Sequence, residues 1–383
     1  MPWKEVSMED QRLKFVLEAS DKHSPLTFGQ LCEKYNISRK TGYKWFDRFH
    51  DYGKLGLKEL PRTPRTHPTK ILLDVEQMIV SIRNEYPTYG PKKIRAVLEN
   101  EYSYVKTPSE AAIGNILKQR RLSRPRNYRR HVARTAPLSG CHQPNDVWMY
   151  DFKGYFHTKN GAKCEPLTIT DGYSRYLLGC FHMERKREED VWKEIEKVFY
   201  EYGLPSRIRS DNGPPFATTS VGRLSRLAVK LIKIGITPEW IEPGCPEQNG
   251  RHERFHLTLK NETATPPALT LPLQLQKFEQ FQHHYNYRRP HEALGQKTPA
   301  SVYKPSARVW DGKFRKPEYS GEFQTRKVES GGHITWKGLK LFISEILQGD
   351  YIGVKETDMG IMGVYYGPIL LGHIDLSKGF KRR

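Results

Sequence analysis

The apolar pattern changes character along the chain. Up to about residue 121 it has a helical period, broken by turns. Residues from about Glu9 to Ala19 predict a first helix. Thr27-Phe28-Gly29-Gln30 fits a capping box, the Thr hydroxyl and the Gln side chain closing each other's orphan amides, and opens a helix to about Tyr35. Asn36-Ile37 makes a tight turn. Ser38 can then N-cap a helix from Arg39 to about Phe49. Leu31, Ile37, Tyr43 and Phe46 are spaced for a small core, which leaves Arg39, Lys40, Lys44 and Arg48 mostly outward. A basic helix after a short turn reads as the recognition helix of a helix-turn-helix. The bland alternative is a solvated basic helix on a small bundle.

A second helical unit follows. Asp74 can cap a helix to about Glu85. Tyr86-Pro87-Thr88-Tyr89-Gly90 is a turn, and Pro91 suits the first position of a helix to about Glu101. Thr107-Pro108-Ser109-Glu110 reads as another capping box, with Pro at its first helical position and a helix to about Arg120.

From about Asp146 the period shortens to that of strands. Asp146 to Phe156, Pro166 to Thr170 and Tyr176 to Met183 predict three strands, and residues 190–202 a helix with Val191, Ile195, Val198 and Phe199 on one face. The short alternation Ser206-Arg207-Ile208-Arg209 predicts a fourth strand. A helix over about Val221 to Ile234, a strand before Pro243, a helix from the Pro246–Arg254 stretch and a long helix from about Leu273 to Tyr287 complete the region. Strands return from about Thr325: Lys327-Val328-Glu329, His333 to Trp336, Leu339 to Ile343, Tyr351 to Val354, Gly363 to Tyr366 and Ile369 to Ile374. That final pattern predicts a small β-barrel.

Composition narrows the partner. The chain has 383 residues, enough for about two to four domains. It carries 63 Lys+Arg against 43 Asp+Glu, a formal charge of +20. That excess favours a polyanion, nucleic acid first. Leu60-Pro61-Arg62-Thr63-Pro64-Arg65-Thr66-His67-Pro68 is a basic, Pro-rich linker, semi-rigid by composition, which either tracks a phosphate backbone through Arg62 and Arg65 or is a plain spacer. Lys118 to Arg134 holds eight basic side chains and no acid, including Arg124, Arg126, Arg129 and Arg130; phosphate contact is the preferred reading. No stretch approaches the roughly 18–20 apolar residues of a membrane span. The N-terminus lacks an apolar signal region, so the chain is expected to stay in the cytoplasm. Five scattered Cys without paired zinc spacing predict reduced thiols and no zinc.

Three acids stand out against this frame. Asp151 interrupts the apolar strand Val147-Trp148-Met149-Tyr150-Asp151-Phe152. Asp211 ends the fourth strand, before the turn residues Asn212-Gly213. A Glu follows in the helix begun by Pro246-Glu247-Gln248-Asn249-Gly250-Arg251-His252-Glu253-Arg254. Mg²⁺ prefers oxygen ligands and is usually held by a few carboxylates with waters and phosphates. Two carboxylates about 4 Å apart repel by roughly 4 kcal/mol at an effective dielectric near 20, so three converging acids call for a cation or a proton. Paired metals can stabilise both oxygens of a phosphodiester displacement. Asp171, before a Gly, has the bland reading of a hairpin turn.

Trp148-x-x-Asp151, then Asp211-Asn212-Gly213, then Asn249-Gly250-x-x-Glu253-Arg254-Phe255-His256, resembles the catalytic signature of integrase-type DDE transposases of bacterial insertion sequences, with retroviral integrases as more distant relatives. Tyr285-Asn286-x-x-Arg289-Pro290-His291-Glu292-Ala293-Leu294-Gly295 and Thr298-Pro299 resemble the end of that family's core, and the Pro-Thr-Tyr-Gly turn before Lys92-Lys93-Ile94 its second helix-turn-helix. The resemblance implies an α/β ribonuclease H-like core over 144–303. Two N-terminal all-α helix-turn-helix domains, 1–60 and 74–121, precede it. The small C-terminal all-β barrel spans 325–383, and linkers cover 61–73, 122–143 and 304–324. It implies Asp151, Asp211 and Glu253 as ligands of two Mg²⁺ ions, with Mn²⁺ able to substitute. It also implies double-stranded DNA as partner, a homodimer or higher homo-oligomer that synapses two element ends, and a bacterial, nucleoid-associated setting. Lys92, Lys93, Arg251, Arg254, Lys260, Arg288 and Arg289 would add phosphate contacts. The third acid has two candidates: thirty-five residues separate Asp211 from Glu247, a familiar spacing, but Glu253 follows Asn-Gly in the family's register and is preferred. A nuclease using the same triad and a DNA-binding regulator with an inactive core are the competing functions.

Overall fold

The computed structural model describes residues 7–60, 71–123, 140–242, 248, 250–357, 361–375 and 379–382. Two compact units divide the chain, Met1–Lys70 and Ile71–Arg383.

The first unit is helical: α1 (Met8–Ser20), α2 (Phe28–Lys34) and α3 (Arg39–Tyr52). The Thr27/Gln30 capping box forms as its sequence predicts, and Ser38 accepts from the Thr41 amide to start α3. The expected core register needs correcting. Gly42 and Trp45 are the buried positions of α3; Tyr43 is exposed and stacked on Phe28, with ring centroids 4.3 Å apart, while Phe46 is half-buried. The cause is close approach: a Cβ on Gly42 would lie 2.6 Å from Cys32 Sγ, so α3 presents its glycine to α2. Arg12, Lys44 and Arg48 lie 3.8, 4.4 and 4.9 Å from the centroid of the Trp45 ring. An indole face attracts cations electrostatically, so these stems cover the ring.

The second unit begins with α4 (Leu73–Glu85), α5 (Pro91–Glu101) and α6 (Glu110–Gln119), around Ile79, Tyr89, Ile94 and Ile113. Pro91 starts α5 as expected. Two caps differ from expectation: Asp74 lies inside the first turn of α4, after an uncapped Leu72, and Ser109 rather than Thr107 caps α6, accepting from the Ala112 amide.

A five-stranded sheet follows, ordered β5-β4-β1-β6-β7, from β1 (Val147–Phe152), β4 (Pro166–Asp171), β5 (Leu177–His182), β6 (Arg207–Ser210) and β7 (Thr237–Trp240). β4 pairs antiparallel with β1 and β5, while β6 pairs parallel with β1 and β7. A short hairpin, β2 (Phe156–His157) with β3 (Lys163–Cys164), stands apart from it. Side chains alternate across the sheet. Trp148, Tyr150, Leu167, Ile169 and Ile208 pack with α7 (Glu188–Tyr202) and α8 (Arg226–Lys233). On the other side α9 (Gly250–Leu259) and α10 (Leu271–Tyr287) pack through Phe255, Leu259, Phe278 and Tyr285 against Leu177. This order of strands and helices is the ribonuclease H-like mixed-sheet core. Short α11 (Pro299–Val302) closes it.

The C-terminal strands form an open antiparallel sheet, β14-β13-β12-β11-β8, and a separate hairpin, β9 (His333–Trp336) with β10 (Leu339–Phe342). The sheet runs from β8 (Gln324–Lys327) through β11 (Tyr351–Glu356), β12 (Met362–Tyr366) and β13 (Ile369–Asp375) to β14 (Gly379–Arg382). Among the described residues no ladder joins β14 to β8, so the expected barrel closure is not observed. Its apolar face also packs on α8: Ala228, Val229 and Ile232 share one core with Trp336, Val354 and Tyr366.

The helical unit α4–α6 is keyed to the sheet-bearing core by the Tyr86–Gly90 turn. Tyr89 OH and His284 Nε2 are 2.8 Å apart, and Thr88 donates to Glu262 at 2.7 Å. Tyr86 stacks on His284 with centroids 4.4 Å apart. Burial pushes the His284 imidazole down to about 4, so the fold holds it neutral. An unfolded chain takes a proton near pH 6.5 that the folded chain refuses until about 4, so stability is retained above 6.5 and lost as pH falls between those values. Discounted for its partial exposure, the loss is about 1 kcal/mol. Thermal unfolding at pH 7 and pH 5 checks this: wild type is expected to lose more melting temperature on acidification than His284→Gln.

Candidate active site

Asp151 and Asp211 come from neighbouring parallel strands. The β1–β6 ladder pairs Val147 with Arg207, Trp148 with Ile208 and Met149 with Arg209. Each Asp lies two residues beyond the last pair, so the register carries both to the same C-terminal edge of the sheet. A turn follows Asp211, whose Oδ1 accepts from the Gly213 amide at 3.2 Å.

Alternation along β1 puts Trp148 and Tyr150 towards α7 and turns Asp151 to the face covered by α9. Buried residues at 252, 255, 256 and 259 make the inner stripe of that helix. Phe255 and Leu259 fill the apolar pocket under α10, while His252 and His256 reach β4. His252 Nε2 and His256 Nε2 lie 2.7 and 2.8 Å from Thr168 Oγ1, and His252 Nδ1 lies 3.1 Å from Thr170 Oγ1. Burial pushes both imidazoles down, His256 to about 3. His256 Nδ1 faces Asp151 Oδ2 at 3.9 Å. Lys153 is held below the usual lysine range by burial and by Lys260, against the pull of Asp151.

Glu253 occupies the opposite, exposed face of α9 with Leu257 and Lys260. Among the described residues, the only set of three His, Cys, Asp or Glu ligand atoms within 4.8 Å is Asp151, His252 and His256. The expected triad therefore does not converge to ligand distance here. Glu247 lies outside the described residues. Asp171 is a turn residue, as its bland reading has it: it is buried and accepts from the Asn145 amide and from both the amide and hydroxyl of Ser174.

Family comparisons cover most of this architecture. Two integrase core domain models match residues 141–246 and 234–299. A homeodomain-like domain model matches 41–117, and the model of the IS481 family transposase C-terminal domain matches 323–381. The chain belongs to the integrase-core transposases. Relatives of this transposase include an uncharacterized 39.2 kDa protein of insertion element IS476 from Xanthomonas euvesicatoria, 25% identical over 304 residues and covering 77% of each chain. The InsD transposase of IS2 elements from Escherichia coli is 26% identical over 269 residues, 64% of this chain and 82% of that one. Among solved structures, the simian T-cell lymphotropic virus intasome in complex with the PP2A regulatory subunit B56 gamma matches 78% of this chain and 99% of that one, at 16% identity and a TM-score of 0.38. The HTLV-2 integrase catalytic core in complex with magnesium matches 43% of this chain and 100% of that one, at 16% identity and a TM-score of 0.34.

The cations expected on DNA fall into three groups in the transposase. Arg39, Lys40 and Lys44 on α3, and Arg251, Arg254 and Lys260 around α9, are exposed; Arg251 also reaches the Gly172 carbonyl at 3.4 Å. Others are engaged by protein groups, Lys92 while remaining exposed. Arg48 donates to the Lys58 carbonyl, Lys92 pairs with Glu292 at 2.7 Å, and Lys93 is held by burial and the neighbouring Arg289 guanidinium at about 7. Arg289 itself is buried in an ion pair with Glu262. Arg62, Arg65, Arg124, Arg126, Arg129 and Arg130 lie outside the described residues.

Sequence reasoning missed Lys153 and the Thr168/Thr170 pair. The available signal was His-x-x-x-His in α9 facing an alternating Thr-x-Thr strand, which is one hydrogen-bonded layer in three dimensions.

Proposed function

We propose that the transposase binds the terminal inverted repeats of its element, cuts at their ends and joins them to target DNA, with Asp151, Asp211 and Glu253 holding two Mg²⁺ ions. The observation that carries this is the β1–β6 register, which sends two carboxylates to one sheet edge. Asp151 and Asp211 at that edge offer the hard carboxylate oxygens a divalent cation takes, and Glu253 would supply a third from α9. Bound divalent ions would polarise the scissile phosphodiester and generate the attacking oxygen from water or a 3′-hydroxyl at neutral pH.

The chain's own residues do the rest. Glu253 stands in the first turn of α9, on a face shared with Lys260. Arg254 and Lys260 would hold DNA phosphates beside the carboxylates, and the exposed cations of α3 would grip the element end. Two helix-turn-helix regions would read a longer site than one. A homodimer or higher assembly would pair two ends.

Mn²⁺-dependent joining of end DNA to plasmid, run on wild type, Glu247→Gln and Glu253→Gln, tests the assignment. Only Glu253→Gln is expected to abolish joining while leaving end binding intact. Loss with Glu247→Gln alone would move the third ligand by six residues. Nicking without joined products in wild type would favour a structure-specific nuclease, and binding without either product a regulator.

A further inference from the structure

We infer that His256 is a nitrogen ligand, through Nδ1, of the divalent cation held by Asp151. The inference rests on the proposed metal site and adds a donor to it.

The argument is one of proton bookkeeping in a closed layer. Thr168 Oγ1 has one hydrogen and three neighbours: the Asp151 carbonyl at 3.1 Å, His252 Nε2 at 2.7 Å and His256 Nε2 at 2.8 Å. A carbonyl can only accept, so the hydroxyl hydrogen belongs to Asp151 O. Both imidazoles must then donate to Thr168 from Nε2. His252 uses its other nitrogen too, since Nδ1 lies 3.1 Å from Thr170 Oγ1 and accepts that hydroxyl. It has no lone pair to offer, although it is one of the three clustered groups.

His256 differs. With Nε2–H committed to Thr168, its neutral ring carries a lone pair on Nδ1. That lone pair faces Asp151 Oδ2 at 3.9 Å. The separation is too long for a hydrogen bond. It suits two ligands on one cation, since oxygen and imidazole donors each sit about 2.0–2.2 Å from a small divalent ion. The ring is also aimed in advance: a hydrogen bond at one imidazole nitrogen fixes the tautomer and orientation of the other, as in other metal-bound histidines. One imidazole beside carboxylates shifts the site towards Mn²⁺ and later transition ions relative to Mg²⁺.

The test uses the full-length protein with Mn²⁺ alone as probe and pulsed electron paramagnetic resonance as readout. Wild type is expected to show echo modulation from a directly bound nitrogen, which changes when only the histidines carry the heavier nitrogen isotope. The signal should vanish in Asp151→Asn. His256→Gln keeps an amide near the Nε2 position for Thr168 and removes the Nδ1 donor; it is expected to lose the modulation and to bind Mn²⁺ about tenfold more weakly. The isotope comparison needs no variant, so a wild-type signal without histidine nitrogen overturns the inference even if His256→Gln does not fold. Mn²⁺ that depends on Asp151 but shows no histidine nitrogen would overturn the inference and leave the carboxylate site standing. Mn²⁺ binding unaffected by Asp151→Asn would overturn both.

Discussion

Asp211→Asn protein is expected to bind element-end DNA as wild type does and to join it at least about a thousand-fold more slowly. The substitution is isosteric and leaves Oδ1 able to accept from the Gly213 amide, so the turn at the end of β6 should survive. What disappears is one of two negative charges at the sheet edge. Metal assistance in phosphoryl chemistry is worth several kcal/mol, and about 1.4 kcal/mol corresponds to a factor of ten in rate. Losing about 4 kcal/mol gives the stated factor. Asp151→Asn should match it. The measurement is joined product per hour at saturating Mg²⁺, with end binding followed separately. A rate within tenfold of wild type for either variant would remove that Asp from the proposed site.

Arg289→Ala is expected to destabilise the second unit by about 3 kcal/mol, without the salt-dependent loss of DNA affinity that a phosphate contact would show. Its guanidinium is buried, paired with Glu262 and 5.3 Å from the Tyr89 ring centroid. Thr88 donates to the same carboxylate. Removing one member of a buried pair leaves the other desolvated and costs about 3–5 kcal/mol; the partial exposure of Glu262 argues for the lower end. The double change Arg289→Met with Glu262→Met should recover part of the loss, because it leaves no orphan charge. Denaturant midpoints for the two proteins check this, alongside affinity measured at two salt concentrations. A near-normal midpoint with weakened DNA binding would return Arg289 to the DNA surface.

Much of this protein was legible in its sequence wherever the cause is local. The Thr27/Gln30 capping box, the Ser38 cap and Pro91 at a helix start depend on residues three or four apart, and they form as read. The short, largely buried runs of β1 and β4 and the apolar stripe of α7 made the order of the ribonuclease H-like core legible, because run length and a 3.6-residue period separate strand from helix before any partner is known. Asp151, Asp211 and Glu253 were singled out by the motif resemblance, and the β1–β6 register carries the two Asp to one sheet edge.

Tertiary structure decided what distant elements do to one another. Nothing local to α9 tells that His252 and His256 are buried; they meet Thr168 and Thr170, more than eighty residues earlier in the chain. Arg289 and Lys93 looked like DNA cations, yet Glu262 and the Tyr89 turn draw them inward. Six short strands suggested a closed barrel, but among the described residues no ladder joins β8 to β14, and α8 packs against the sheet. Periodicity tells which side of an element avoids water. It cannot tell which partner covers that side, and that choice sets which charges meet DNA and which histidine faces Asp151.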